Sequence, residues 1–572
     1  GIGKGQIVRE IDAMGGLMGL LTDEAGIQYR ILNRSKGPAV WSPRAQADRN
    51  LYTHIALGRL QHASRLTILE GMVAEILSTD RGNRRQVTGI RLEDGRTINA
   101  PAVIIATGTF LRGLLHFGPR QAPGGRIDEP SSDNLSRSLE ALGLRLGRLK
   151  TGTPPRLDRD TIRYDVLARQ DGDNPVVPFS FVTDRIDRPQ VPCHITWTNA
   201  KTHEVIRANL HRAPLYTGQI QSRGPRYCPS IEDKVVRFPN KDRHQIFLEP
   251  EGLDTNRIYC NGLSTSLPID VQEAMVHSVE GLENAKILQF GYAVEYDWVP
   301  TDQTTSWLEA KRVRGLFLAG QINGTSGYEE AAGQGMIAGI NAALQLAGKE
   351  PFILGRDQAY IGVMIDDLVT RPPTEPYRMF TSRAEYRLHL RSDNADARLT
   401  PLGRKIGLVD EARWATFQAK QRQIADLLQY LASHRHEDRT LVEWLRRPEV
   451  TLADLMRLVP ELNAGCLCRG SSAWRCVSTQ ALEQVEITIK YAGYLEREKR
   501  QIEKFAELER WKIPAGFDYA AVPHLRVEAR EKLAAQHPVS LGQALRISGI
   551  TPADVTVLMV HLEAGRRKTK AS

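Results

Sequence analysis

Cysteine is scarce in this sequence: six residues, Cys193, Cys228, Cys260, Cys466, Cys468 and Cys476, are spread over 572 positions. That density excludes a disulfide framework and favours a reducing compartment, here the cytoplasm, with an organelle as the alternative. Cys466-Leu467-Cys468 with Cys476 has neither C-x-x-C spacing nor an evident fourth ligand, so no structural zinc is expected. Long apolar runs are also lacking. No stretch of about 18 apolar residues offers a membrane span. The glycine-rich opening Gly1-Ile2-Gly3-Lys4-Gly5 has neither the Gly-Lys-Ser/Thr ending of a Walker loop nor a strand-led G-x-G-x-x-G, and it reads as a weakly anchored turn. There is no internal repeat, and only Arg566 to Ser572 reads as a frayed basic tail.

What is present implies several domains, because a chain of this length exceeds one hydrophobic core. The net charge is +9, and residues 401–572 carry 27 Lys+Arg against 21 Asp+Glu, so most of the excess lies in the last third. Such a balance suits a polyanionic partner such as RNA, or simply a solvated basic surface.

Three textures follow one another. Residues 1–150 mix short apolar runs with glycine turns. Ala102-Val103-Ile104-Ile105-Ala106-Thr107-Gly108-Thr109 reads as a buried parallel strand entering a small-residue turn, and Val87 to Asn99, around Glu93-Asp94-Gly95, reads as a hairpin. Residues 151–300 are rich in Pro, Gly and Thr with short β-like runs, as in an inserted αβ domain. Over 301–355 a second buried strand, Gly315 to Gly320, leads through Gln321-Ile322-Asn323-Gly324-Thr325-Ser326-Gly327 into a helix, Glu329 to Leu346. Ala331, Ala332, Gly335 and Gly339 are expected to let that helix pack tightly, its positive end facing an anionic cofactor. Residues 356–572 become helical, with patterns over Glu411 to Leu431, Glu483 to Trp511 and Val527 to Ala535. Leu541 to Asp554 fits a bundle corner better than a DNA-reading helix-turn-helix.

Two segments carry chemistry. In Gly224-Pro225-Arg226-Tyr227-Cys228-Pro229-Ser230-Ile231-Glu232-Asp233-Lys234 a cysteine sits between prolines and near cations, as a thiolate nucleophile requires; a small buried hydrophobe is the alternative. Arg383, Arg387 and Arg391 fall at helical i, i+4, i+8 spacing after Arg378. With Tyr377 and Tyr386 they read either as a phosphate grip with base-stacking rings or as a solvated face paired with Glu385 and Asp393.

Together, Arg148-Leu149-Lys150-Thr151-Gly152-Thr153-Pro154-Pro155-Arg156, Gly224 to Phe238, His244 to Gly252, Asn261 to Pro268, Gly320 to Gly335 and Glu375 to Arg387 resemble one family, the MnmG (GidA) enzymes. Members modify carbon 5 of the wobble uridine in tRNA. The resemblance implies an α/β fold: a glutathione-reductase-like FAD domain (1–150, returning at 301–355), an inserted NAD-type αβ domain (151–300) and a helical C-terminal domain (356–572) for tRNA and a partner GTPase of the MnmE type. It implies FAD, NADH and 5,10-methylenetetrahydrofolate as cofactors, a homodimer, and a heterotetramer with the GTPase. By matching position, FAD meets Val73, Ser132 and Gln321; the nicotinamide nucleotide meets Gly224, Pro225, Arg226, Tyr227, Cys228, Pro229, Ser230, Ile231, Glu232, Asp233, Lys234, Val235, Val236, Arg237 and Phe238; tRNA meets Arg378, Arg383, Arg387 and Arg391; and Cys228 is catalytic. The family's Gly-rich turn and a second cysteine would precede Gly1, and Arg371-Pro372-Pro373-Thr374 departs from the family's glycine-containing stretch. The alternatives are a folate- and FAD-dependent tRNA uridine methyltransferase, which the long helical C-terminal segment disfavours, and a non-catalytic scaffold binding RNA or a GTPase.

Overall fold

A computed structural model describes residues 2–82, 84–224, 229–459, 477–514 and 516–571, with side chains up to Ala564. Both parallel strands form, Val103–Ile105 beside Leu316–Leu318 with Val103 opposite Leu316 and Ile105 opposite Leu318; the second is buried throughout, whereas in the first only Ile105 is buried and Ile104 is exposed, which corrects the buried reading there. Beside them the hairpin forms as read. Gly89, Ile90 and Arg91 pair with Asn99, Ile98 and Thr97, and Gly95 turns the chain at φ +87°.

The middle of the chain folds around a six-stranded sheet, in spatial order Ala168–Gln170, Cys193–Trp197, Gln245–Pro250, Arg257–Asn261, Arg156–Asp158, Ile287–Gln289, antiparallel throughout. The Ala200–Ala208, Ile231–Arg237 and Ile269–His277 helices share its hydrophobic core through Ile206, Ile231, Val235, Val271 and Met275. A four-stranded antiparallel sheet joins this αβ domain to the first: Arg120–Pro123, Leu114–Phe117, Tyr292–Trp298, Gly147–Thr153. All seven residues of Tyr292–Trp298 are buried, so the strand brings Glu295 and Asp297 into the interior together with its apolar residues.

The opening glycine turn is not loose. Gly3, at φ +102°, starts a helix, Lys4–Ala13, whose ten residues are all buried. Ile7 and Ile11 enter the largest core with Ile337, Tyr360, Met364 and Leu399. The same helix ties distant segments together through buried charge: Glu10 accepts the amides of Tyr360 and Ile361 at 2.8 and 3.0 Å, and Arg9 donates to the carbonyls of Pro178, Phe179 and Ser392. The residues around Gly3 carry no record of partners so far along the chain, which is why the turn reads as unanchored in the sequence and is corrected only here.

The cofactor-turn helix runs Tyr328–Leu346. Its close packing is at Gly333, where a Cβ would stand 3.3 Å from both Ile361 and Ile7; Gly335 and Gly339, expected to do this, face open space. Its positive end is taken by its own first-turn acids. Lys4 Nζ bonds Glu329 at 2.8 Å and Glu330 at 2.6 Å, and Glu330 also accepts the Met379 amide.

Beyond residue 356 the structure is mainly helical, apart from the stretch 371–394, which holds no α-helix, and a short strand pair, Arg435–His436 with Arg439–Thr440. Glu411–Ser433 matches its pattern, and Val527–Gln536 does likewise. The pattern over Glu483 to Trp511 is two helices, Thr479–Lys490 and Ala492–Arg510, broken at Tyr491. The corner reading holds for Leu541–Arg546 and Pro552–Ala571: Arg546 reaches back to Asp366 at 2.6 Å, docking the corner on the Tyr360–Thr370 helix. The backbone of the basic tail stays helical to Ala571 rather than fraying.

Candidate active site

A cavity of about 520 Å³ opens where the four-stranded sheet meets the segment Gln219–Arg223, with Arg148, Ser222, Arg223, Glu295 and Trp298 among its walls. Its floor is a buried polar chain. His116, fully buried on Leu114–Phe117, donates from Nε2 to Glu295 Oε2 at 2.9 Å, while Gln219 Nε2 donates to His116 Nδ1 at 2.9 Å. The amide donor on that side leaves Nδ1 to accept and Nε2 to donate to the carboxylate. The other Glu295 oxygen accepts from Ser222 Oγ at 2.6 Å and from the Ser222 amide at 3.2 Å. Burial alone would raise the Glu295 carboxyl, but the bonds from His116 and Ser222 outweigh it and hold the group down at about 2. Both oxygens of this carboxylate are therefore committed.

The network fixes a loop root. The Lys150 amide donates to Arg223 O at 3.2 Å, continuing the clamp along the Gly147–Thr153 strand. Lys150 itself is buried, with no side-chain partner among the described residues, and a Cβ at position 224 would fall 2.6 Å from its Cε. A side chain at position 224 would therefore have to displace the end of the lysine. Pro225, Arg226, Tyr227 and Cys228 follow in sequence and lie outside the described residues, as do Cys466, Cys468 and Cys476. The chain is described again from Pro229 and enters Ile231–Arg237, where the Ile231 amide donates to Ser264 O at 2.7 Å. The two cysteines that are described, Cys193 and Cys260, are buried; burial pushes the Cys193 thiol up to about 11 and raises that of Cys260 further, which marks both as inert.

Most of the run expected to meet a nicotinamide nucleotide is turned inward. Ile231 and Val235 are core residues of the αβ domain. Glu232 accepts from Ser266, Asp233 holds Arg237 at 2.8 Å, and Lys234 Nζ donates to Gly262 O. The period of this short helix sends its apolar face into the sheet. What remains open to a ligand is Gly224 and Pro229 before the helix and Val236, Arg237 and Phe238 at its end; the buried Ser230 hydroxyl has no hydrogen-bond partner among the described residues.

The flavin positions converge. Gln321 follows Leu316–Leu318, and Gly108, at φ +58°, follows the parallel Val103–Ile105; a Cβ on Gly108 would stand 3.5 Å from Gln321 Oε1. The Ser132 amide donates to Phe110 O at 2.8 Å, which brings the start of the Asp133–Ala141 helix to the same edge, and that helix packs on Val73–Arg81. Ligands of open α/β sheets bind beyond the carboxyl ends of parallel strands, and this is that edge. Thr107 Oγ1 and Asn323 Oδ1 are buried there without hydrogen-bond partners among the described residues. Orphaned polar atoms of this kind call for a polar ligand or solvent, so the residues present fit a nucleotide cofactor.

The arginine stripe is corrected. Residues 384–391 form no helix: Arg387–His389 make a turn in which the Leu390 amide donates to Tyr386 O at 2.9 Å, and Ala384, Tyr386, Leu388 and Leu390 are buried at two-residue spacing. The alternation was present in the sequence, but the i, i+4, i+8 arginines masked it. Arg391 is buried against Asp393 at 2.9 Å; Arg383 lies over the Tyr377 ring at 4.2 Å and bonds Arg378 O. Arg378 is half-buried. Arg387 alone of the four is exposed and free of partners among the described residues. Tyr377 and Tyr386 are buried and cannot stack a base.

His116, Gln219, Ser222 and Glu295 were not singled out by motif. The available signal is an acid, Glu295, one of two with Asp297 in the otherwise apolar run Tyr292 to Trp298, and a lone histidine in Leu114 to Phe117: a buried charge needs partners, and His116 and Glu295 are each other's.

Fold and cavity together define an α/β protein with a helical C-terminal domain and a buried polar site formed by His116, Gln219, Ser222 and Glu295. A family model described as glucose inhibited division protein A matches residues 1–350, and models for the C-terminal helical domain and helical bundle of the tRNA modifying enzyme MnmG/GidA match 411–499 and 501–572. The chain is 51% identical to the tRNA uridine 5-carboxymethylaminomethyl modification enzyme MnmG of Rhodopirellula baltica, over 98% of this chain and 86% of that protein. It is 52% identical to the one from Geobacter metallireducens, over 99% and 91%. The structure of Aquifex aeolicus GidA superposes with a TM-score of 0.90 at 48% identity, covering 98% of this chain and 92% of that one. The chain belongs to the MnmG/GidA family of tRNA-modifying enzymes. Among the described residues no helix is long and apolar enough to cross a membrane, and no cluster of side chains could hold a metal ion.

Proposed function

We propose that this protein modifies carbon 5 of the wobble uridine of tRNA, adding an aminomethyl or carboxymethylaminomethyl group together with a partner GTPase of the MnmE type. The observation that carries this reading is similarity to MnmG proteins over almost the whole chain, C-terminal helical domains included. That extent also separates it from a folate-dependent methyltransferase and from a scaffold. The working unit is a homodimer within a heterotetramer, and the compartment is the cytoplasm. The division is a flavin domain (1–150 and 301–355), an inserted nicotinamide domain (151–300) and a helical domain (356–572).

When bound, FAD and NADH would supply the redox chemistry, with 5,10-methylenetetrahydrofolate as the one-carbon source and ammonium or glycine as the nitrogen source. Val73, Ser132 and Gln321 hold the flavin nucleotide at the edge where Thr107 and Asn323 offer unpaired polar atoms. Gly224 and Pro229, with Val236, Arg237 and Phe238, remain for the nicotinamide nucleotide. The chain's own residues then position and protect. The His116–Glu295–Ser222 chain holds the loop root rigid, so that Cys228 is presented as a nucleophile from a preorganised stem. Arg148 and Arg223 in the cavity wall favour anionic groups there.

The test is reconstitution. Full-length protein with FAD, NADH, the methylene folate, ammonium, the GTPase and a tRNA transcript should yield the modified nucleoside on digestion and chromatography. Unmodified uridine, in a reaction where a known MnmG protein succeeds, would overturn the reading.

A further inference from the structure

We propose that a second, basic cleft on the first domain grips the phosphodiester backbone of the RNA substrate, as an anchor remote from the chemistry. It rests on the reading that tRNA is the substrate. The cleft, about 590 Å³, lies between the Val73–Arg81 and Arg84–Leu92 strands and the C-terminal end of Tyr328–Leu346, walled by Arg81, Arg84, Arg85, Arg314, Lys349 and Trp307. The other end of that helix adjoins Gly324, packed against Trp298 of the active-site cavity. Nineteen helical residues separate the two, about 28 Å at 1.5 Å per residue.

Two acids stand near, and both are already committed. Asp80 pairs with Arg85 at 3.4 Å; Glu309 pairs with Arg84 at 3.5 Å and accepts the Gly315 amide and Gln345 Nε2. The side chains of Arg81, Arg314 and Lys349 are exposed and have no hydrogen bond or ion pair among the described residues, and Arg84 Nε is buried with no partner there either. Cations without partners on a convex surface spread into solvent. Here three of them and an orphaned N–H converge on one concavity, where mutual repulsion is relieved by anionic oxygens. Trp307, the aromatic residue of the wall, already directs its indole N–H to Glu309 at 3.3 Å, and the amide donors of Asn341 and Gln345 are likewise engaged, so among the described residues the wall offers a ligand, beside its cations, only the Gln86 amide. Charge without readout is what backbone phosphates recognise.

The experiment compares the full-length protein with the triple variant Arg81→Glu/Arg314→Glu/Lys349→Glu, by fluorescence anisotropy with labelled tRNA and a labelled anticodon stem-loop across a salt series. Expected is about tenfold weaker tRNA binding near 0.1 M salt and a log–log salt slope shallower by about 2 to 3, with stem-loop binding unchanged. The neutral variant Arg81→Gln/Arg314→Gln/Lys349→Gln should move in the same direction by less, and circular dichroism should be unchanged in both. Equal tRNA affinity and slope in parent and variants overturns the anchor alone. Equal weakening of the stem-loop also overturns it, since the charges would then act through the general field. Loss of ATP binding with an unchanged tRNA slope assigns the cleft to a free nucleotide and likewise overturns it. A parent that binds no tRNA overturns the functional reading as well.

Discussion

The Glu295 carboxylate accepts a hydrogen bond from His116 Nε2 at 2.9 Å across two neighbouring strands, and its other oxygen holds Ser222 at the root of the loop that leads to Cys228. A catalytic loop is useful only if its stem is fixed, because a misplacement of about 1 Å is enough to cost a hundredfold in rate. The expensive feature, a buried charge, is therefore devoted to positioning.

Glu295→Gln removes the charge but keeps the shape. One oxygen then becomes an amide donor facing Ser222 or His116, both of which already donate, and a charged hydrogen bond worth about 2 kcal/mol is lost. The variant should stay folded by circular dichroism, be cut faster by protease between Gln219 and Ser230, and lose at least about tenfold in uridine modification. Unchanged cleavage and activity would remove the clamp from the mechanism.

Cys228→Ser should abolish uridine modification while leaving tRNA binding and flavin retention intact, since only thiol chemistry is lost. Cys193→Ser and Cys260→Ser serve as controls: both thiols are buried with raised pKa, and activity should survive wherever the fold does. Nucleoside analysis of the three variants decides.

Arg387 and Arg391 should separate. Arg387→Ala weakens tRNA binding and lowers the salt slope by about 1 without changing stability. Arg391→Ala strips Asp393 of its partner inside the protein and should destabilise it by about 3 kcal/mol in urea unfolding, with the salt slope untouched. The reverse pattern would restore the helical stripe.

His389 predicts a pH dependence. Burial, reinforced by Arg398 and Arg391, lowers its pKa to about 4. Between the unfolded value near 6.5 and this folded value the unfolded chain binds the extra proton, so stability is full above about 6.5 and falls as pH drops toward 4. The His389 amide is bound to Glu498 at 2.8 Å, so the loss falls on the junction with the C-terminal helices. Urea midpoints at about pH 7 and about pH 5 should differ less in His389→Gln than in the parent.

Local pattern announced the parallel strands, the 87–99 hairpin, the Tyr328–Leu346 helix and the C-terminal helices, because each is written in neighbouring residues. It misread residues 383–391, where two periodicities coexist and burial chose the one with period two. It also took Gly335 and Gly339 for packing glycines when Gly333 has that place, a distinction set by which face meets Ile7 and Ile361.

By itself the sequence determined the family, through the order of its motifs, and with it the α/β and helical organisation and the cysteine to watch. Only the tertiary structure decided what carries the site: His116, the Gln219–Ser222 segment and Glu295 are three separate pieces of chain, with His116 and Glu295 lying 179 positions apart. Buried charges choose partners by proximity in three dimensions, and no spacing along the chain encodes that choice.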